Sequence, residues 1–245
     1  MKTILLLMLV GTLACAQQFS SGQAKVSTLE LFTSQGCGEC PDFDKILSDI
    51  QESPALFTQV IPIAYHVDYW NDKGWIDPLS NESSTKKQYE YAAIWKKPSI
   101  YTPLFVLNGK PTRLWHSKQL DLDSHKSTKP GTLSLQVKNK KFITLRFNAN
   151  DVKYTKQTNI IMHSSVIVMD MNTEVKSGAN KGKKLHNDFV SLAIKKKQSR
   201  ILDKVLKDTM PYPSFVKKAN KTYYIVAWLT DMNNHTIQAV AGRLD

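Results

Sequence analysis

The apolar run from Leu29 to Thr33 leads through Ser34-Gln35-Gly36 into Cys37-Gly38-Glu39-Cys40, and Pro41 follows at once. No other stretch constrains the fold as strongly. A buried strand that ends in C-x-x-C, with proline in the first turn of the next helix, puts two thiols at a helix N-terminus, where unpaired backbone N–H groups stabilise a thiolate. Such a pair predicts thiol–disulfide exchange, with Cys37 attacking and Cys40, one helical step inside, resolving. Glu39, Asp42 and Asp44 bring negative charge close and oppose acidification of Cys37. The predicted thiol is therefore only mildly acidic, which suits a weak oxidant, an isomerase or a reductase.

The third cysteine, Cys15, closes an apolar run from Ile4 that ends in Ala14-Cys15-Ala16. This has the form of a signal-peptidase site, so residues 1–16 are read as a removed secretory signal and the protein as exported, periplasmic or secreted. A lipoprotein anchored through Cys15 is the weaker alternative, because Thr12 stands where a lipobox carries leucine. The run is short of the roughly 20 apolar residues that span a bilayer, and no transmembrane segment is expected in the mature chain. A hydrophobic content of 42% and a charged content of 22% are ordinary for a globular chain and argue against large-scale disorder. The formal charge of +12 is spread over lysines such as Lys181 to Lys184 and Lys195-Lys196-Lys197, which read as a solvated face. No aromatic-interleaved basic motif accompanies them, and nucleic acid is not an expected partner.

After the first strand, Val26 to Thr33, helical spacing of Phe43, Ile46, Leu47 and Ile50 predicts a helix from Pro41 to Ile50, and Val60 to Val67 predicts a second strand. A β-α-β unit of this kind makes a parallel pair. A helix is expected from Glu82 to Trp95, then a strand from Leu104 to Leu107, an Asn108-Gly109 hairpin, a return strand at about Thr112 to Trp115 and a closing helix from Ser117 to Leu122. Asp123 to Gly131 is polar and marks a predicted boundary. Beyond it, Thr132 to Val137, Phe142 to Phe147, Asn159 to Met169, Tyr223 to Leu229 and Thr236 to Val240 alternate as strands, with one helix expected from Arg200 to Lys207. The predicted fold is an α/β thioredoxin-like N-terminal domain at residues 25–123, followed by a mostly antiparallel β-sandwich-like domain at residues 131–245.

The order of strand, C-x-x-C helix, crossover strand and X-Pro step entering a hairpin is that of a thioredoxin-like domain. There the matching proline is cis and lies against the dithiol, so Thr102 and Pro103 are expected to position a substrate peptide. The stretches Glu30 to Cys37, Cys40-Pro41, His66 to Trp70, Gly74 to Pro78, Tyr101 to Pro103 and Asn108-Gly109 resemble a secreted bacterial thioredoxin-like family of unknown function marked by LFTSQGC-x-x-CP. Thr173 to Gly182 and Leu185 to Asn187 are similar to its second half. The resemblance implies export and a β-rich second domain, without assigning an activity.

His66, Asp68 and Trp70 follow the second strand, where open α/β sheets place their crevice, and are candidate substrate-binding residues. Asp72, Trp75 and Asp77 extend that loop. Exchange would need no organic cofactor, and its partners would be protein or peptide thiols and disulfides, with a redox partner protein. An alternative is copper or zinc handling by Cys37, Cys40 and His66, although no metal site is assigned. Another is a non-catalytic envelope protein with a structural disulfide. The segment Gly178 to Lys184 lacks a spacer and the Ser or Thr of a phosphate loop, and reads as a surface turn. Of the remaining histidines, only His186, beside Asn187 and Asp188, stands near other candidate polar groups.

Overall fold

The computed structural model describes residues 17–113, 128–138 and 140–245. The expected signal sequence with Cys15, the expected closing helix and most of the predicted polar boundary lie outside the described residues. The N-terminal strands are β1 (Gln18–Ser20), β2 (Ser27–Thr33), β3 (Val60–His66), β4 (Leu104–Leu107) and β5 (Lys110–Thr112), with helices α1 (Cys40–Ser48) and α2 (Glu82–Ile94). Later strands are β6 (Gly131–Lys138), β7 (Phe142–Ala149), β8 (Thr158–Val168), β9 (Met171–Glu174), β10 (Lys184–Asn187), β11 (Val190–Ile201), β12 (Val205–Pro211), β13 (Tyr223–Thr230) and β14 (Thr236–Leu244).

One mixed sheet of eight strands, in the order β14-β13-β8-β11-β3-β2-β4-β5, joins the two halves of the chain. β2 and β3 pair in parallel from Ser27↔Val60 to Thr33↔His66, as a β-α-β unit requires, and β4 then runs antiparallel to β2. The outer flank of β3 is a row of hydrogen-bonding groups. β11 takes it through a parallel bridge, Val190↔Ala64, and β8, β13 and β14 continue from there.

This architecture corrects the predicted fold class. With fourteen strands against two α-helices among the described residues, the protein is mostly β. The strands that were to form an α/β thioredoxin-like unit are instead one half of a sheet completed by strands from beyond residue 131. The physical reason is the parallel pair itself, whose open flank at β3 buries well only when another strand covers it.

Strand alternation divides this sheet into two cores. Along β13, Tyr223, Ile225, Ala227 and Leu229 face a second sheet, β1-β6-β7-β12, and pack with Leu133, Leu145, Phe147 and Met162. Val226 and Trp228 face the other way and join Phe32, Leu47, Tyr65, Tyr91 and Phe105 beneath the helices. Asn81 caps α2 by accepting from Ser84 N at 3.0 Å.

The helix expected at Arg200 to Lys207 is a strand, a turn and a strand. β11 and β12 meet across Leu202-Asp203-Lys204-Val205, closed by reciprocal backbone bonds of 2.9 and 2.8 Å, with φ of 46° at Asp203 and 65° at Lys204. Two successive positive-φ residues make the tight turn that suits strand twist. The return strand placed at Thr112 to Trp115 begins earlier, at Lys110. Gly109 allows this because at φ +84° any side chain would fall 2.2 Å from the Asn234 carbonyl oxygen.

Candidate functional site

α1 begins at Cys40, with Pro41 in its first turn and Asp42 complementing the helix N-terminus. Cys37 and Cys40 form a disulfide with Cα atoms 5.4 Å apart. Gly38 and Glu39, between them, are exposed, whereas Cys37 is 3% exposed and Cys40 0%. Cys37 is thus the outer sulfur. Gly36 precedes it with no side chain because one there would stand 3.2 Å from Trp70 Cβ.

Trp70 ties this loop to the Thr102-Pro103 step. Its Nε1 donates to Thr102 Oγ1 at 2.8 Å, and the Thr102-Pro103 peptide bond is cis. The residue before Cys37 is thereby linked through Trp70 to the Thr102-Pro103 step. His66 is at the end of β3: Nδ1 is 2.7 Å from Asp77 Oδ2, which also accepts from Gln35 N at 2.8 Å. Asp68 goes elsewhere, gripping α2 through Thr85 Oγ1, which donates to it at 2.6 Å.

Three titratable side chains near the ends of β2 and β3, His66, Asp77 and Asp44, are buried. Burial alone would lower the His66 pKa, but the Asp77 charge and hydrogen bond, with help from Asp44, raise it instead. Burial would likewise raise Asp77, yet His66 and the Gln35 and Leu79 amides hold it below the usual carboxylate range. His66 Nε2 is buried with no hydrogen-bond partner among the described residues. Asp44 is pushed up to about 6 by burial, despite opposing contributions from His66 and from Thr33, whose Oγ1 donates at 3.1 Å. It sits one turn after Cys40 on α1, so the two share a helix face.

A carboxylate with a raised pKa weakens the fold where it is ionised. The folded-state value of about 6 exceeds the usual 3.8, so the folded protein binds the extra proton and stability falls as pH rises from about 4 to 6. Asp44→Asn should remove that slope and stabilise the protein at pH 7 by on the order of 2 to 3 kcal/mol, with the two proteins converging below about pH 4. Urea unfolding at pH 4, 5, 6 and 7 measures this directly.

The rest of the site comes from β9, β10 and their connecting turn, the two strands pairing among the described residues only with each other. Gln35 Nε2 donates to Thr173 Oγ1 at 3.1 Å and to Asn187 Oδ1 at 3.0 Å. Asn180, in the segment expected to be a surface turn, is fully buried and donates to the carbonyl oxygens of Gln35 and Cys37 at 2.9 and 2.8 Å. A buried asparagine in a Gly- and Lys-rich turn carries no periodic signal. The only hint was that Thr173 to Gly182 belonged to the stretches carrying the resemblance. His186 contacts Asn172 and Asp188, 3.0 and 2.8 Å away.

A family described as "Protein of unknown function (DUF1223)" matches residues 28–228, which include both cysteines, the cis proline and Asn180. The chain belongs to that family. Membership agrees with the motif resemblance at the level of a family of unknown function. No curated protein sequence matches the chain. Among solved structures, protein AGR_C_4864 from Agrobacterium tumefaciens superposes with a TM-score of 0.62 at 19% identity, covering 90% of this chain and 94% of that one. HBP35 of Porphyromonas gingivalis gives 0.68 at 16% identity, covering 92% and 77%. At such identities the likeness is one of fold. Among the described residues, no helix is long and apolar enough to cross a membrane, and no group of three or more His, Cys, Asp or Glu side chains is arranged to hold a metal ion.

Proposed function

We propose that this family member exchanges disulfides with protein or peptide thiols through Cys37 and Cys40. The observation that carries the reading is a disulfide at a helix start with an ionisable, buried carboxyl, Asp44, one turn behind its inner sulfur. A substrate thiolate attacks Cys37 Sγ, the Cys37–Cys40 bond breaks, and Cys40 leaves as a thiolate. Asp44, near neutrality in its protonation, is suited to supply the proton that Cys40 takes up. A second substrate thiolate attacks the substrate sulfur of the mixed disulfide and releases Cys37, so the substrate loses two electrons and the dithiol gains them. The reverse sequence oxidises the protein and reduces a substrate disulfide. Trp70, Thr102 and Pro103, linked through Trp70 to the residue before Cys37, would seat the substrate chain. In this reading the protein works after export, with residues 25–123 carrying the chemistry and residues 131–245 completing and covering the site.

Near-complete burial of both sulfurs favours a second reading, a structural clip in a non-catalytic envelope protein. The reduction potential of the Cys37–Cys40 pair, from equilibration with glutathione, separates the two. A value between about −270 and −120 mV is expected for exchange, whereas one below about −300 mV marks a structural bridge.

A further inference from the structure

The turn between β9 and β10 lies beside the disulfide loop, anchored at its base by buried Val175 and beyond that point mainly by polar contacts. Residues 176–179 and 181–184 are exposed, and Asn180 alone among residues 176–184 is buried. Besides its two bonds to Gln35 and Cys37, Asn180 accepts from Lys183 Nζ at 2.9 Å through Oδ1. Ala179 Cβ is 3.7 Å from where a side chain on Gly38 would begin. Farther along, Ser177 Oγ donates to the Gly74 carbonyl at 2.6 Å. A two-stranded ribbon is marginally stable by itself, and segments tied down by a few polar contacts at the surface are the first to open.

We propose that Asn180 is a positioning residue for exchange at Cys37–Cys40, latching the β9–β10 hairpin over the disulfide so that a thiol reaches Cys37 Sγ only when the hairpin lifts. The purpose of the latch rests on the exchange reading. Its existence does not, because the bonds from Asn180 to the Gln35 and Cys37 carbonyl oxygens are made whatever the disulfide is for. Lifting the tip of the hairpin, with Gln35 still bonded to Thr173 and Asn187 at its base, costs the two bonds to the carbonyl oxygens of Gln35 and Cys37 and the bond from Ser177 to Gly74. Substrate access is thereby set by residues more than 130 positions downstream of the cysteines.

The experiment follows reduction of the mature, full-length disulfide by dithiothreitol, quenching with an alkylating reagent and counting free thiols by mass. A dithiothreitol thiolate attacks Cys37 Sγ, Cys40 leaves and is protonated, and the second reagent thiol closes the cyclic disulfide and frees Cys37. Loss of two hydrogen bonds in Asn180→Ala should raise the rate roughly tenfold. Ser177→Ala, at an exposed position that touches neither cysteine, should raise it roughly threefold to fivefold through one bond. Both accelerations should be larger with glutathione, a bulkier reductant, at an unchanged urea midpoint for Ser177→Ala. Reduction of Asn180→Ala at the wild-type rate overturns the latch, and so does acceleration confined to Asn180→Ala with Ser177→Ala unchanged. Accelerated reduction in a protein that never forms mixed disulfides with protein thiols upholds the latch and removes the exchange reading.

Discussion

Cys40→Ser should accumulate long-lived mixed disulfides with protein or peptide thiols through Cys37, and Cys37→Ser should accumulate none. The asymmetry follows from depth, since Cys37 is the outer sulfur at 3% exposure and Cys40 is closed off at 0% on the first turn of α1. A nucleophile reaches the outer atom first. In the wild type the resulting adduct is cleared by Cys40, whose attack is intramolecular and therefore worth an effective concentration of roughly 10⁵ M or more when well aligned. Serine at position 40 keeps the volume but is no nucleophile toward sulfur near neutral pH. Clearance then depends on external thiol at millimolar concentration, and the adduct should persist at least about a thousandfold longer. Non-reducing electrophoresis and intact mass after acid quenching read the outcome. Adducts that form equally in Cys37→Ser, or in neither variant, would remove Cys37 as the attacked sulfur.

A second large effect is expected away from the disulfide. Glu30 on β2 and Lys87 on α2 form an ion pair at 3.1 Å with side chains 0% and 6% exposed. The pair is a charge contact and not a directed hydrogen bond, since Glu30 Oε1 makes none, while Tyr91 donates its hydroxyl hydrogen to Oε2. Lys87 Nζ also lies 4.8 Å from the Tyr91 ring centroid, 5.4 Å from Trp228 and 5.6 Å from Tyr65. Lys87→Met would leave the Glu30 carboxylate in an apolar core without its counter-charge. The expected loss is about 3 to 5 kcal/mol, read from the urea unfolding midpoint. Adding Glu30→Gln should recover most of it, because the side-chain amide can still accept from Tyr91 and no charge is left buried. A Lys87→Met protein within about 1 kcal/mol of the wild type would show that the aromatic rings, and not the charge pair, hold α2 on the sheet.

These two sites differ in how far residue order anticipates them. Periodicity and punctuation make β2, α1, β3, α2, β4 and the β13–β14 hairpin legible, since each is specified by side chains within about a dozen residues of one another. β11 is not, because Lys195-Lys196-Lys197 reads as a solvated face. In the fold these lysines sit on a strand paired with β8, where Lys197 reaches Asp208 at 2.7 Å and Lys196 pairs with Glu90 of α2. Charge on a strand with an open flank discourages unwanted pairing, and that same charge hides the strand from pattern reading. The candidate site divides in the same way. Cys37, Cys40, the Thr102-Pro103 step and His66 stand out as residue types in local context, whereas Asn180, Asn187 and the coupling of Asp44 to His66 and Asp77 acquire meaning only in the assembled fold.

Local order alone determined that two cysteines would meet at the junction of a buried strand and a helix, because three residues of chain cannot separate them further. Tertiary structure decided that β3 would be covered by β11, that a distant hairpin would bond the carbonyl oxygens of Gln35 and Cys37, and that the Asp44 carboxyl would be buried one turn after Cys40. Those outcomes depend on which sheet edge is left open and how far water is excluded, and both are properties of the assembled chain.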